Sequence, residues 1–108
     1  MENNKKMLGL LGLASRAGKL TYGADSTITE IKKNKIKLVI VALDASSRTK
    51  NKFIEVCNKH SIPIIQFENI YKISKSVGKE NKAIIGIKDI HFASEINNIN
   101  RGDVNGKN

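Results

Sequence analysis

Tryptophan is absent, and phenylalanine and tyrosine together make up 5% of the 108 residues. So few aromatic side chains argue against an open sheet on which unpaired bases stack, the usual device of single-strand binders. The single cysteine, Cys57, excludes an internal disulfide and gives no reason to place the chain in an oxidising compartment. It follows Phe53 by one helical repeat and reads as a small buried hydrophobe, not as a nucleophile. Proline occurs once, at Pro63, and no stretch rich in Pro, Gly or Ser interrupts the sequence. There is thus no linker, no internal repeat and one domain over 1–108. Long apolar runs are also missing. Met7-Leu8-Gly9-Leu10-Leu11-Gly12-Leu13-Ala14 superficially resembles a signal peptide. It is too short to span a bilayer, and Ser15-Arg16-Ala17-Gly18 follows with no obvious processing site, so a cytoplasmic protein is expected.

Acidic residues are the remaining scarcity. Ten Asp and Glu face nineteen Lys and Arg, a formal charge of +9. From Lys5 to Lys82 there are sixteen basic and six acidic residues, and from Ala83 onward three of each. The excess therefore belongs to the body of the fold and not to a basic tail, and it points to an anionic partner.

What is present is alternation. After a polar lead-in over Met1–Lys6, the pattern predicts a helix from about Lys6 to Ala17, capped by Gly18 in the left-handed conformation. A very short strand over Leu20–Tyr22 follows, then a helix from about Ala24 to Asn34. In it Ala24, Ile28 and Ile31 share the core side, while Asp25, Thr29, Lys32 and Lys33 share the outer one. Leu38–Leu43 is an apolar run suited to a strand covered on both faces. Ser46 or Ser47 can cap a third helix reaching Lys59, with Phe53, Ile54 and Cys57 inward. A strand over Ile64–Phe67, a short helix with Ile70, Ile73 and Val77 inward and Gly78 closing it, and a strand over Ala83–Ile87 come next. Asp89 caps a last helix with Phe92, Ile96 and Ile99 on one stripe, and Arg101–Asn108 reads as a frayed polar tail. Apolar strands alternating with helices give an α/β class, a three-layer α/β/α sandwich around a small four-stranded sheet.

No catalytic constellation stands out. Gly12 to Lys19 approaches a phosphate-binding loop, but five residues instead of four separate Gly12 from Gly18, and Leu20 stands where Ser or Thr belongs. His60 and His91 lack partners at ligand spacing, so no metal or other cofactor is expected. Asp44 at a strand end has the place of a catalytic carboxylate in an α/β enzyme, but a helix-capping or turn role suits it better. The basic residues fall in three groups, Lys19–Lys33, Asp44–Lys52 and Gly78–Lys82, which alternation of strands and helices should bring to one end of the sandwich.

Several segments in order carry a family resemblance: Leu13-Ala14-Ser15-Arg16-Ala17-Gly18-Lys19-Leu20, Gly23 opening a helix, Lys37-Leu38-Val39-Ile40-Val41-Ala42-Leu43-Asp44-Ala45-Ser46, Thr49-Lys50, and Val77-Gly78-Lys79-Glu80. Over residues 6–100 the chain resembles the ribosomal protein L7Ae-type family, in its short bacterial YlxQ-like branch. The resemblance implies a mixed sheet and a non-enzymatic protein of ribosomal or ribonucleoprotein type. It implies binding of kink-turn or related structured RNA, ribosomal RNA among the candidates, with ribosome or translation-factor contact and a monomeric state. The turn at Gly23 and Ala24 would enter the RNA groove, Lys19, Lys32, Lys33, Asp44 and Arg48 would lie along the RNA, and Val77, Gly78, Lys79, Glu80 and Asn81 would cover a nucleotide turned out of the stack. Strong kink-turn binders carry Asn, Glu and Lys where this chain has Asp25, Ser26 and Thr29. The substitutions imply weaker or differently targeted binding, since each polar base interaction forgone costs about 1–3 kcal/mol. A protein-binding adaptor of the translation machinery, docking an acidic partner on the same basic face, is the alternative.

Overall fold

Among the described residues, four short strands make the sheet, and five helices cover it on both sides. The computed structural model describes residues 2–102. In chain order the elements are α1 (Glu2–Arg16), β1 (Leu20–Tyr22), α2 (Ala24–Lys32), β2 (Leu38–Val41), α3 (Ser47–Lys59), β3 (Ile64–Gln66), α4 (Ile70–Ser76), β4 (Ile84–Ile87) and α5 (Ile90–Asn100). The strand order is β1-β4-β2-β3, with β4 antiparallel to both β1 and β2, and β3 parallel to β2. The sheet is therefore mixed.

Successive side chains of a strand point to opposite faces, and the two cores follow that alternation. Leu38 and Ile40 join Met7, Leu11, Ile73 and Ile96 in the layer under α1, α4 and α5. Val39 and Val41 join Ile31, Phe53 and Cys57 in the layer under α2 and α3. This is the three-layer α/β/α sandwich, and the run Leu38–Val41 is buried throughout because both faces are covered.

Four details differ from the sequence pattern. The expected polar lead-in is helical from Glu2, because Asn3 Nδ2 donates to the Ile99 carbonyl at 3.4 Å and Asn4 Nδ2 to the Glu68 carboxylate at 3.0 Å. These bonds hold a turn that an isolated peptide would leave frayed. The second strand stops at Val41, and Leu43 turns out to solvent with its N–H donating to the Glu68 carbonyl. Ile54 is exposed, lying about 100° around α3 from Phe53, while half-buried Val56 fills the other flank of the stripe. Of the expected polar tail, Arg101 and Gly102 close α5 through N–H bonds to Asn97 and Ile99, and 103–108 lie outside the described residues.

Gly12 sits inside α1, where a Cβ would lie 3.0 Å from the Ser76 carbonyl, so it serves the crossing of α1 with α4. A phosphate loop has no place there. Gly86 in β4 is tighter still. A Cβ there would collide with Thr21 Oγ1 and lie 2.9 Å from Ile36 Cδ1 and 3.0 Å from Thr27 Cγ2. Above it, the buried Thr21 and Thr27 hydroxyls meet at 2.8 Å. The missing side chain lets α2 settle onto the sheet, and the threonine pair locks it there.

Candidate nucleic-acid interface

Strand register gathers the loops. Tyr22 lies opposite Ile85, and Val41 lies opposite Ile84 and beside Gln66. The C-terminal ends of β1, β2 and β3 thus share one edge with the start of β4. Gly23, the turn at 42–46, the turn at 67–69 and the loop at 77–83 all lie at this Gly23 end, as do the N-termini of α2, α3 and α4.

Those three helix starts are not equivalent. Ser46 Oγ accepts from Thr49 N at 3.1 Å, and Asn69 Oδ1 accepts from Lys72 N at 2.8 Å. The N-cap of α2 is Gly23, which has no side chain to offer its first turn. Gly23 has φ +90 and ψ 169, in the region L side chains rarely adopt, and its N–H donates to the Ile84 carbonyl at 2.8 Å. Space is not the constraint, because the nearest atom to a Cβ would be Lys82 Nζ at 3.9 Å. The backbone conformation itself demands glycine. The result is a helix start with outward N–H groups, its positive dipole end open, and a lysine ammonium beside it.

The loop that delivers that lysine is fixed from inside. Buried Ser74 accepts from Lys82 N at 2.7 Å and donates to the Lys82 carbonyl at 3.3 Å, while its own carbonyl takes Lys79 N at 2.9 Å. Gly78 and Asn81 take positive φ, +74 and +54, to make the two bends between. Ser15 Oγ donates to the Val77 carbonyl at 2.8 Å, which leaves the Tyr22 hydroxyl to donate to Ser15 at 2.6 Å. The Tyr22 ring so held lies 4.7 Å from Lys79 Nζ. A groove of about 420 Å³ runs along the outer side of this loop, lined by Tyr71, Ser74, Lys75, Lys79, Glu80 and Asn81.

On the outer face of α2, the Ser26 hydroxyl donates to the Tyr22 carbonyl at 2.6 Å and Thr29 Oγ1 to the Asp25 carbonyl at 3.0 Å. With their protons engaged, both hydroxyls can only accept from a ligand, and the exposed Asp25 carboxylate is also an acceptor. Ala24 is half-buried beneath them against the second core. Asp44 Oδ1 accepts from Ile70 N at 2.8 Å, which ties the 42–46 turn to α4. Arg48 is exposed in the first turn of α3.

The expected meeting of three basic groups holds for two of them; of the third, only the Gly23 turn joins, and none of its lysines. Gly23, the Asp44–Arg48 turn and the Gly78–Lys82 loop come together. Lys19 sits at the other end of β1, where its carbonyl accepts from Lys88 N at 2.8 Å. Lys32 and Lys33 lie at the far end of α2, Lys33 within 3.7 Å of Glu30. Lys82, expected only as part of the basic Gly78–Lys82 loop, joins the site, as do Tyr22, Ser15 and Ser74, for which no site role was expected. A lysine two residues before an apolar strand is a usable signal for Lys82. Nothing local marks two serines whose partners are 62 and 8 residues away.

A four-stranded mixed sheet between helical layers, with a glycine-opened helix and basic loops at one edge, defines a small α/β/α binding domain. The chain belongs to the ribosomal protein L7Ae/L30e/S12e/Gadd45 family, whose model matches residues 5–97. It is 38% identical over 87 residues to the RNA-binding protein YlxQ of Bacillus subtilis (strain 168), covering 81% of this chain and 87% of that one. It is 37% identical over 100 residues to the RNA-binding protein YlxQ of Enterococcus faecium, covering 93% and 96%. A solved protein of unknown function from Bacillus halodurans superposes with TM-score 0.85 at 32% identity, over 87% of this chain and 95% of that one. The Giardia lamblia 15.5kD RNA binding protein superposes with TM-score 0.80 at 16% identity, over 94% and 88%, a likeness of fold alone.

Proposed function

We propose that this chain is an RNA-binding protein, not an enzyme, and that it recognises a kinked RNA at the Gly23 end. Two similar proteins are named for RNA binding. The observation that carries the finer reading is the uncapped start of α2, with Gly23 at φ +90 and Lys82 Nζ beside it. A helix N-terminus and a flanking ammonium bind phosphate oxygens, and a turn without a side chain lets the RNA backbone come close. Asp25, Ser26 and Thr29 then offer acceptors to a guanine edge, whose N–H groups are donors. Arg48 and Lys79 supply charge at the margins, Val77 and Gly78 shape the covering loop, and Glu80 and Asn81 lie at its tip. The reading extends to a cytoplasmic monomer acting on structured RNA, ribosomal RNA among the candidates.

The test is binding near physiological salt to a kink-turn RNA and to the same RNA with its G·A pairs replaced by Watson–Crick pairs. A preference of roughly tenfold for the kinked form, about 1.4 kcal/mol, is expected. Equal, salt-sensitive binding to both would reduce the claim to a basic surface. Binding to neither would move the translation-machinery adaptor into first place, with Asp25 as its most informative residue.

A further inference from the structure

We propose that the end of the sheet opposite Gly23 is a second RNA surface, which grips phosphates without reading bases. The inference rests on RNA binding as the function, and goes beyond the site at Gly23. Its core is a row formed by register. Leu20, Ile87 and Leu38 are aligned across β1, β4 and β2, so the residues just beyond them, Lys19, Lys88 and Lys37, stand side by side. Lys88 N donates to the Lys19 carbonyl at 2.8 Å and Lys37 N to the Ile87 carbonyl at 2.7 Å, which keeps the row at strand spacing of roughly 4.8 Å. Around it stand Lys32 at the end of α2, Lys35 in the following connection and Lys59 at the end of α3. The connections are brought together, since Asn34, Lys37, His60, Pro63 and Ile90 line one groove of about 440 Å³.

The same segments carry Glu30 and Asp89, both engaged, and Glu55 stands one turn before Lys59 on α3. Glu30 lies 3.7 Å from Lys33, and Asp89 accepts from Phe92 N at 2.9 Å. None of the six lysines has a carboxylate within 4 Å among the described residues. Lys32 and Lys59 also offset helix C-termini, which is a structural reason for them. Lys35 follows the same α2 terminus, its N–H donating to the Glu30 carbonyl at 3.0 Å, but Lys37 and Lys88 have no helix C-terminus to serve, so dipole compensation does not explain the whole group. These segments hold no arginine, phenylalanine, tyrosine or tryptophan, and the half-buried His60 is the ring in the groove. Lysine is a point charge without the planar fork that selects a base edge, and one half-buried imidazole gives little face for bases to stack on. The molecule measures 33 × 27 × 27 Å, so an RNA bent over Gly23 leaves the opposite end free for another segment.

The experiment titrates wild type and the triple variant Lys35→Gln, Lys37→Gln, Lys59→Gln with a 20-base-pair RNA duplex lacking any internal loop, and with the kink-turn pair above. The variant should bind the duplex at least tenfold more weakly near 0.1 M salt. Its plot of log affinity against log salt should flatten by about 2–3 units, at roughly 0.9 for each duplex phosphate no longer neutralised. Its preference between kinked and control RNA should stay that of wild type. Lys35→Gln alone, in an exposed connection, should flatten the plot by about one unit and serves if the triple variant folds poorly. Duplex affinity and slope unchanged in both variants would overturn the proposal, as would loss confined to binding of poly-glutamate, which would mark a protein surface. Absence of a kinked-RNA preference in wild type would remove the Gly23 reading and leave the duplex result to decide this one.

Discussion

The two ends of this sheet are both basic and are built on opposite terms. At the Gly23 end, charge is mixed: Lys79, Lys82 and Arg48 stand among Asp25, Asp44 and Glu80, and hydrogen bonds fix the backbone that carries them. At the Lys19 end, lysines crowd with little opposite charge and with only backbone bonds to align them. Net charge therefore does not locate specificity. A shaped, partly acidic surface with defined donors and acceptors can distinguish one RNA from another, whereas a lysine row responds to phosphate density and salt. The densest unopposed positive charge lies away from the shaped turn at Gly23.

The sharpest break in that contrast is Gly23→Val. A β-branched residue at φ +90 costs on the order of 1–3 kcal/mol in backbone strain, and relief by local rearrangement would spoil the α2 start. Kinked-RNA affinity should fall tenfold or more while duplex binding at the Lys19 end holds. Unchanged discrimination in an otherwise folded variant would show that this turn does not meet RNA. Gly86→Ala should destabilise the fold by about 1–3 kcal/mol in urea melts, because its Cβ has nowhere to go between Thr21, Ile36 and Thr27. A neutral result would mean that α2 can lift off the sheet at little cost.

Lys32→Ala with Lys33→Ala works on the other side of the comparison. It should weaken binding to kinked and control RNA alike and lower the salt slope by about 0.7–0.9 for each phosphate left without its lysine. An unchanged slope would take the end of α2 off the RNA. Asp25→Asn should raise affinity for the kinked form by about 1 kcal/mol, roughly fivefold, since it removes a negative charge and adds a donor. If affinity instead fell, the carboxylate would be accepting from a base edge that the amide serves less well.

The smallest effect lies in the core between the ends. Burial pushes the Cys57 thiol up to about 11 from 9.0. Because the unfolded chain loses that proton first, stability should decline from about pH 9 toward about pH 11, and be insensitive to this group below that window. A Cys57→Ala variant with the same decline would assign the loss to other groups. Thiol labelling of the native protein should be slow and should follow global unfolding.

Apolar periodicity makes most of the elements legible. Ser46 and Asp89 as caps, Gly18 and Gly78 as left-handed stops, and the doubly covered Leu38–Val41 strand are all local facts about side-chain size and hydrogen bonding. Pattern and structure part where distant partners decide. Asn3 and Asn4 extend α1 through hydrogen bonds to residues 96 and 64 positions away. Ser15 anchors the 77–83 loop from 62 residues away, and Ser74 does so across the loop itself. Gly86 is an ordinary strand glycine by pattern, and its necessity comes from α2 lying over it.

By itself, then, the sequence determined the alternation of helices and strands, the helix caps from Gly18 onward, and the glycine that opens α2, because each depends on residues within a turn or two of one another. Only the tertiary structure decided which lysines stand together. Register across β1, β4 and β2 carries Lys19, Lys88 and Lys37 into one row, while the α4–β4 loop sets Lys82 beside Gly23. Charge acts through space, and distance in space is fixed by strand pairing, which no local pattern encodes.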